Sequence, residues 1–346
     1  MGVNFVEYLT KSAAEIEQEL DFYFKVWRKN ARKINPTLLS LVDASITAAE
    51  GGKRIRGMLV KLGYELSGAG YSKEIIKVAA AYEIFQTAIL AHDDVIDKSP
   101  LRRGQPTIFN ALGGDHYALS QAICLGDIGF FQAFEMISNT NFPDELKTAA
   151  LSSFSRTMTE TALGQMLDIE IPAKKLPRKE EDALVIFQLK TARYTISGPL
   201  LLGAILGGAD QKIRENIKKF GDYLGIAYQI HDDILGVFGT EKEIGKSVTS
   251  DIEEGKQTLL ITKALEKASL GEKRKLDELY GKSDIDESGV QEVQQIFIST
   301  GALDYSREVA LKYVDQAKKM VSDLSTKKEI RTLLIEISDY LINRKK

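Results

Sequence analysis

The sequence predicts an all-α protein, folded as a single helical domain over residues 1–346. Three observations predict it. Apolar residues recur at three- and four-residue spacing over long stretches. No stretch alternates apolar and polar side chains over a strand's length between hairpin turn signals. No linker divides the chain: the Pro- and Lys-rich IPAKKLPRKEED (171–182) reads as one surface loop, and no internal repeat appears.

The elements follow in chain order. SKEIIKVAAAYEIFQTAILAHDDVID (72–97) keeps helical spacing throughout. Similar patterns run from about 115 to 138, 144 to 170, 178 to 206 and 211 to 238. Pro143 followed by Asp144 and Glu145 marks a helix start. Residues 256–346 read as shorter amphipathic helices.

Composition excludes several classes of function. A formal net charge of −3 gives no reason to expect a nucleic-acid partner. Cys124 is the one cysteine, so no intrachain disulfide and no thiolate zinc cluster forms, and a reducing cytoplasm suits the chain. The first twenty residues carry acids and no long apolar core, unlike a signal peptide. Val6 stands where a myristoylation signal needs Ser or Thr. The longest apolar run, ISGPLLLGAILGGA (196–209), is too short and too rich in Gly to span a bilayer, so no membrane span is expected.

Two stretches carry the chemistry. His-Asp-Asp follows an apolar run at 92–94 and again at 231–233. Asp93 and Asp97, four apart at the end of a helix, point the same way and repel each other and the helix dipole. A hard divalent cation removes that objection, because carboxylate oxygens are the ligands Mg²⁺ prefers. Asp232 and Asp233 offer a second such pair. Basic clusters accompany both: GGKRIRG (51–57), LRRG (101–104), Lys190 and GKSVTSDIEEGK (245–256). Lys53 and Arg56 are expected to share a helix face, behind glycines that let backbone approach an anion. Carboxylates for metal and separate cations for phosphate imply a polyphosphate ligand, and two cation sets suggest two diphosphates.

The chain resembles the trans-isoprenyl diphosphate synthases, of the short-chain group that makes farnesyl and geranylgeranyl diphosphate. GGKRIRG, HDDVID with LRRGQPT, GQMLDIE, LKTARY and QIHDDILGVFG are similar to that family's motifs, in the same order and over nearly the whole chain. The resemblance implies an all-α isoprenoid synthase fold around a deep central cavity, a cytoplasmic homodimer, and about three Mg²⁺ ions per active site. It implies head-to-tail condensation of isopentenyl diphosphate with an allylic partner, whether dimethylallyl, geranyl or farnesyl diphosphate. Asp93 and Asp97 would hold metal against the allylic diphosphate, with Asp94 in support, and Asp232 would hold a further ion with Asp233 alongside. Arg102, Lys190, Lys246 and Lys256 would clamp that diphosphate. Thr191 and Gln229 would line the reacting centre, and Gln165 and Asp168 would lie near the first motif's metals. Gly52, Lys53, Arg56, Gln86 and Arg103 would bind isopentenyl diphosphate. His92 and His231 are expected to be structural hydrogen-bonders rather than acid–base groups.

Departures from the pattern matter as well. Gly236 stands where the second acidic motif usually ends in Asp, which removes one acid from the third-metal site. Gly57 replaces the usual Pro, and Gln86 stands where many members have His.

Product length is read from the helix before Asp93. Ala88, Phe85 and Tyr82 lie five, eight and eleven residues before it and are expected to form one stripe down a greasy shaft. Ala88 is small enough to let a tail pass, and Phe85 would stop it about 4.5 Å deeper, roughly one prenyl unit. Geranylgeranyl diphosphate (C20) is therefore the expected product, with C15 and C25 as alternatives. A class I terpene cyclase would place an acid where Thr240 stands, and a non-catalytic partner subunit would lack the aspartates.

Overall fold

Helix after helix begins at a short polar side chain that accepts a hydrogen bond from the first turn, as the pattern of caps in the sequence allows. Asn4, Ser72, Thr107, Asp115, Thr258, Ser269 and Asp286 all do so. The computed structural model describes residues 4–102, 104–240 and 250–343. Arg103 and Lys246, both expected to bind diphosphate, lie outside the described residues.

The chain divides into two units, Met1–Phe154 with Pro199–Arg214, and Ser155–Gly198 with Glu215–Lys346. The first contains α1 (Phe5–Ile34), α2 (Leu39–Ala49), α3 (Ile55–Leu66), α4 (Lys73–Ile96), α5 (Ile108–Ala111) and α6 (His116–Ser138). Its central element is α4, which packs on α1, α3 and α6 and buries residues on every side. A helix apolar all round has to be surrounded by protein or lipid. Among the described residues α4 alone is long and apolar enough to cross a membrane by length and composition, and 72% of its most apolar window is buried within the protein.

α7 (Asp144–Ala173) crosses from the first unit into the second. The second unit continues with α8 (Glu180–Ile186), a π-helical segment (Phe187–Ser197) and most of α10 (Gln211–Phe238), while α9 (Gly198–Leu206) returns to the first. Short helices complete the second unit from Ser250 to Asn343. Its core joins Phe187, Ile226, Ile230 and Ile234 to Leu260, Val293 and Phe297.

Several expectations need correction. A two-stranded antiparallel hairpin pairs β1 (Leu101–Arg102) with β2 (Gln105–Pro106). Strands of two residues are too short to show alternation, so the sequence hid them. The 171–182 loop is shorter than expected: α7 carries Pro172 in its final turn and ends at Ala173. Proline there removes one hydrogen bond near the end of the helix, where little remains to break. The 178–206 stretch is not one α-helix, because the π-helical segment interrupts it.

Candidate active site

The first acidic pair sits where α4 ends. Asp97 caps the helix, its N–H donating to the Asp93 carbonyl at 2.8 Å. Asp94 points inward and is 4% exposed. A carboxylate buried that far needs a partner, and the hairpin supplies one. Arg102 on β1 donates from Nε to Asp94 Oδ1 at 2.6 Å and from Nη2 to Asp93 Oδ2 at 3.1 Å. Thr107 ties the far end of the hairpin back, its hydroxyl donating to the Ser99 carbonyl at 2.9 Å. The structure thus joins three of the expected residues, Asp93, Asp94 and Arg102. Beside them a cavity of about 400 Å³ is walled by Thr87, Ala91 and Asp94 of α4, Arg102 and Gln105 of the hairpin, and Gly51.

The cationic stretch GGKRIRG divides its labour differently from expectation. α3 starts only at Ile55, so Lys53 lies in the preceding loop and shares no helix face with Arg56. Lys53 is exposed and Arg56 half-buried. Between them Arg54, unassigned from sequence, is 3% exposed with φ +56°. Its Nε donates to Glu17 Oε1 at 2.7 Å, and Nη1 lies 3.6 Å from Glu83 of α4. Glu83 also accepts from the Gly57 N–H at 2.8 Å. Arg54 is thus the anchor of this turn. Its partners lie far away in the chain, so only a structure distinguishes it from its basic neighbours. Gln86, on the same helix as Glu83, is also buried.

In the second unit the expected residues form a relay. The Thr191 hydroxyl, in the π-helical segment, donates to Gln229 Oε1 at 2.5 Å, and Gln229 Nε2 donates to Asp233 Oδ1 at 2.6 Å. Asp233 is 5% exposed, and its Oδ2 has no hydrogen-bond partner among the described residues. Burial pushes its carboxyl well above the usual range, and the neighbouring Asp251 pushes it the same way. Lys190 Nζ donates to Asp168 Oδ2 at 2.6 Å, so two residues expected to serve different ligands pair with each other. Lys256 Nζ lies 2.9 Å from Asp251 and 3.0 Å from Glu254. Asp251 was missed from sequence, because it sits in a stretch notable for its lysines.

The chain-length stripe is only partly as expected. Ala88 borders a narrow apolar slot with Ile84, Phe24, Trp27 and Gly129. A Cβ on Gly129 would stand 2.8 Å from that of Ala88, so α4 and α6 nearly touch there. Phe85 and Tyr82 border neither this slot nor the larger cavity. Both are fully buried in an aromatic cluster, with Phe85 4.7 Å from Phe154 and 5.6 Å from Phe130 between ring centroids. Their three-residue spacing from Ala88 turns them progressively around the helix, since three residues fall short of a full turn. His92 has a structural place, with Nε2 3.1 Å from the Ile123 carbonyl and its ring edge-on to Phe130.

Comparison with known proteins identifies the family. The family model described as polyprenyl synthetase matches residues 38–297. A short chain isoprenyl diphosphate synthase of Methanothermobacter thermautotrophicus is 36% identical, over 92% of this chain and 94% of that one. A geranylgeranyl pyrophosphate synthase of Geoglobus acetivorans is 34% identical, over 85% and 87%. Among solved structures, geranylgeranyl pyrophosphate synthase from Corynebacterium glutamicum, complexed with isoprenyl diphosphate and magnesium, superposes with a TM-score of 0.91 at 26% identity, covering 99% of both chains. With the aspartate pairs, the flanking cations and the helical architecture in place, the chain belongs to the polyprenyl synthetase family of trans-isoprenyl diphosphate synthases and is a prenyltransferase with the isoprenoid synthase fold.

Proposed function

We propose that the enzyme condenses isopentenyl diphosphate head-to-tail with an allylic diphosphate to give geranylgeranyl diphosphate, with farnesyl and geranylfarnesyl diphosphate as the neighbouring outcomes. The observation that carries the reading is that each unit holds buried or half-buried aspartates beside a cation: Asp93 and Asp94 with Arg102 in the first, and in the second Asp233 near Asp251, which pairs with Lys256.

The donor set fits magnesium. It consists of carboxylate oxygens, and the buried Asp233 Oδ2 has no partner among the described residues. No group of three or more His, Cys, Asp or Glu forms a ready-made metal cage among those residues. Mg²⁺ suits such a site, because it takes one or two carboxylates and completes its shell with water and phosphate oxygens. Asp93 and Asp97 of the first unit and Asp232 of the second would hold the ions. Bound magnesium would supply electrostatic stabilisation of the charge that develops on the departing diphosphate.

The chain's own residues do the rest. Arg102, Lys190 and Lys256 bind the allylic diphosphate, each held until then by a carboxylate partner. The Arg54 anchor fixes the turn that presents Lys53 and Arg56 to isopentenyl diphosphate. Thr191 and Gln229 are oriented by their mutual hydrogen bond. The small Ala88 leaves the wall open to a growing tail. Support for a C20 product comes from this side chain and from the names of the Geoglobus and Corynebacterium proteins. A second copy of the chain is the proposed occupant of the apolar face of α6, where Tyr117, Ile128 and Phe131 are 54%, 41% and 76% exposed.

Purified enzyme given labelled isopentenyl diphosphate, Mg²⁺ and each allylic starter in turn should yield C20 as the longest abundant product. Excess chelator should abolish the reaction, and Asp93→Ala should lower its rate by on the order of 10²–10³. Turnover undiminished by chelator and by Asp93→Ala would end the proposal.

A further inference from the structure

We propose that Asp251 supplies, from a separate element, the metal-site carboxylate that Gly236 lacks. This inference rests on the reading above, in which Asp232 and Asp233 serve a metal–diphosphate site.

The geometry points to a swap of positions. Gly236 follows Asp233 by three residues and Asp232 by four on α10, so a side chain there would lie on their face of the helix. That space is taken. A Cβ at 236 would stand 1.9 Å from Asp251 Oδ2 and 3.0 Å from its Cγ. The Asp251 carboxylate therefore fills the volume that an acid at 236 would occupy, and glycine is what admits it.

Asp251 is held there by more than chance packing. It is 6% exposed, and Lys256 Nζ lies 2.9 Å from its Oδ1. The turn that carries both residues is clamped from two sides. Arg178 donates from Nη2 to the Gly255 carbonyl at 2.8 Å, and from Nη1 to the Lys256 carbonyl at 3.2 Å and Gln257 Oε1 at 3.0 Å. Its guanidinium lies 5.2 Å from the ring centroid of Tyr280, whose hydroxyl donates to the same Lys256 carbonyl at 2.7 Å. The Gly281 N–H donates to the Ile252 carbonyl at 2.8 Å.

A ligand is indicated independently by Asp233. This buried side chain has one oxygen occupied by Gln229 and the other without a partner among the described residues. The buried carboxylates of Asp233 and Asp251 repel each other here, an arrangement that a divalent cation relieves.

The test compares full-length wild type with Asp251→Asn, Gly236→Asp, the double variant Gly236→Asp/Asp251→Gly, and Asp232→Asn as a control. Circular dichroism checks the fold of each. The readout is the rise in melting temperature on titrating Mg²⁺ in the presence of inorganic pyrophosphate, which gives an apparent Mg²⁺ affinity without turnover. Asp251→Asn, nearly the same shape without the charge, should weaken that affinity about tenfold or more. Gly236→Asp should weaken it too, although it restores the usual family residue, because two side chains compete for one space. The double variant should recover most of the loss. Wild-type affinity in Asp251→Asn, or a double variant no better than either single one, overturns the inference. If Asp232→Asn loses affinity while Asp251→Asn keeps it, only this inference falls. If both keep wild-type affinity, the metal-site reading falls with it.

Discussion

Replacing Gly57 with proline, the residue usual in this family, should destabilise the enzyme, and the structure says by how much. Gly57 is the third residue of α3, and the first intrahelical bond closes at Met58. Its N–H therefore has no intrahelical acceptor, and local helix rules would tolerate proline there. The tertiary structure forbids it. That N–H donates to Glu83 Oε1 at 2.8 Å, and Glu83 is 3% exposed. Losing a hydrogen bond to a buried charged group costs about 1.5–3 kcal/mol. Any Cβ at 57 also meets Ile16 Cδ1 at 2.8 Å, the Ala79 carbonyl at 3.0 Å and Glu83 Cγ at 3.3 Å, an overpacking worth about 1–3 kcal/mol. Gly57→Ala carries the second cost alone, and Gly57→Pro carries both, about 2.5–6 kcal/mol in sum. Urea unfolding of the three proteins separates the two effects. If Gly57→Pro and Gly57→Ala unfold at the same urea concentration, the bond to Glu83 contributes nothing and the reasoning fails.

Two further outcomes follow from the same reading. Phe85→Ala should shift product from C20 toward longer chains on chromatography if the proposed chain-length stripe continues past Ala88, at a cost of about 3–5 kcal/mol because the ring is fully buried in the aromatic cluster. An unchanged product distribution in folded protein would make it core only. Glu74 gives a pH test: burial opposes its charge, but Lys77 and the Asn141 N–H, each 2.8 Å away, together hold its carboxyl below the usual range. A lowered folded pKa stabilises the fold above the unfolded value and is lost as pH falls through the lowered one. Glu74→Gln should thus cost about 1 kcal/mol at pH 7 and almost nothing at pH 3, measured by urea midpoints at both.

How much was legible from sequence depended on the range of the interaction. The helix over 72–97 was readable because its signal is local periodicity, and its cap at Ser72 confirms the start. The aspartate pairs were readable because like charges at a helix end are anomalous without a partner. The π-helical segment was not, since its apolar pattern fits an α-helix equally well over eleven residues. Arg54 and Asp251 were hidden for a different reason. Their roles are set by Glu17 and Glu83 in one case and by Gly236 in the other, residues that only folding brings near. The unit division was invisible too, because helices α7 and α10 run through it without any break in composition.

The π-helical segment has a consequence for how this enzyme can vary. Each of its hydrogen bonds spans five residues, as from the Gly198 N–H to the Arg193 carbonyl, so it stores one residue more than an α-helix of the same reach. Deleting a single residue between Phe187 and Ser197 would let the coil tighten to an α-helix of the same reach, leaving its flanks in register while the side chains within the segment turn by up to about 100° about the axis. Lys190 and Thr191 lie within that segment. A one-codon gain or loss here would re-aim both side chains at once, a change that no point substitution achieves.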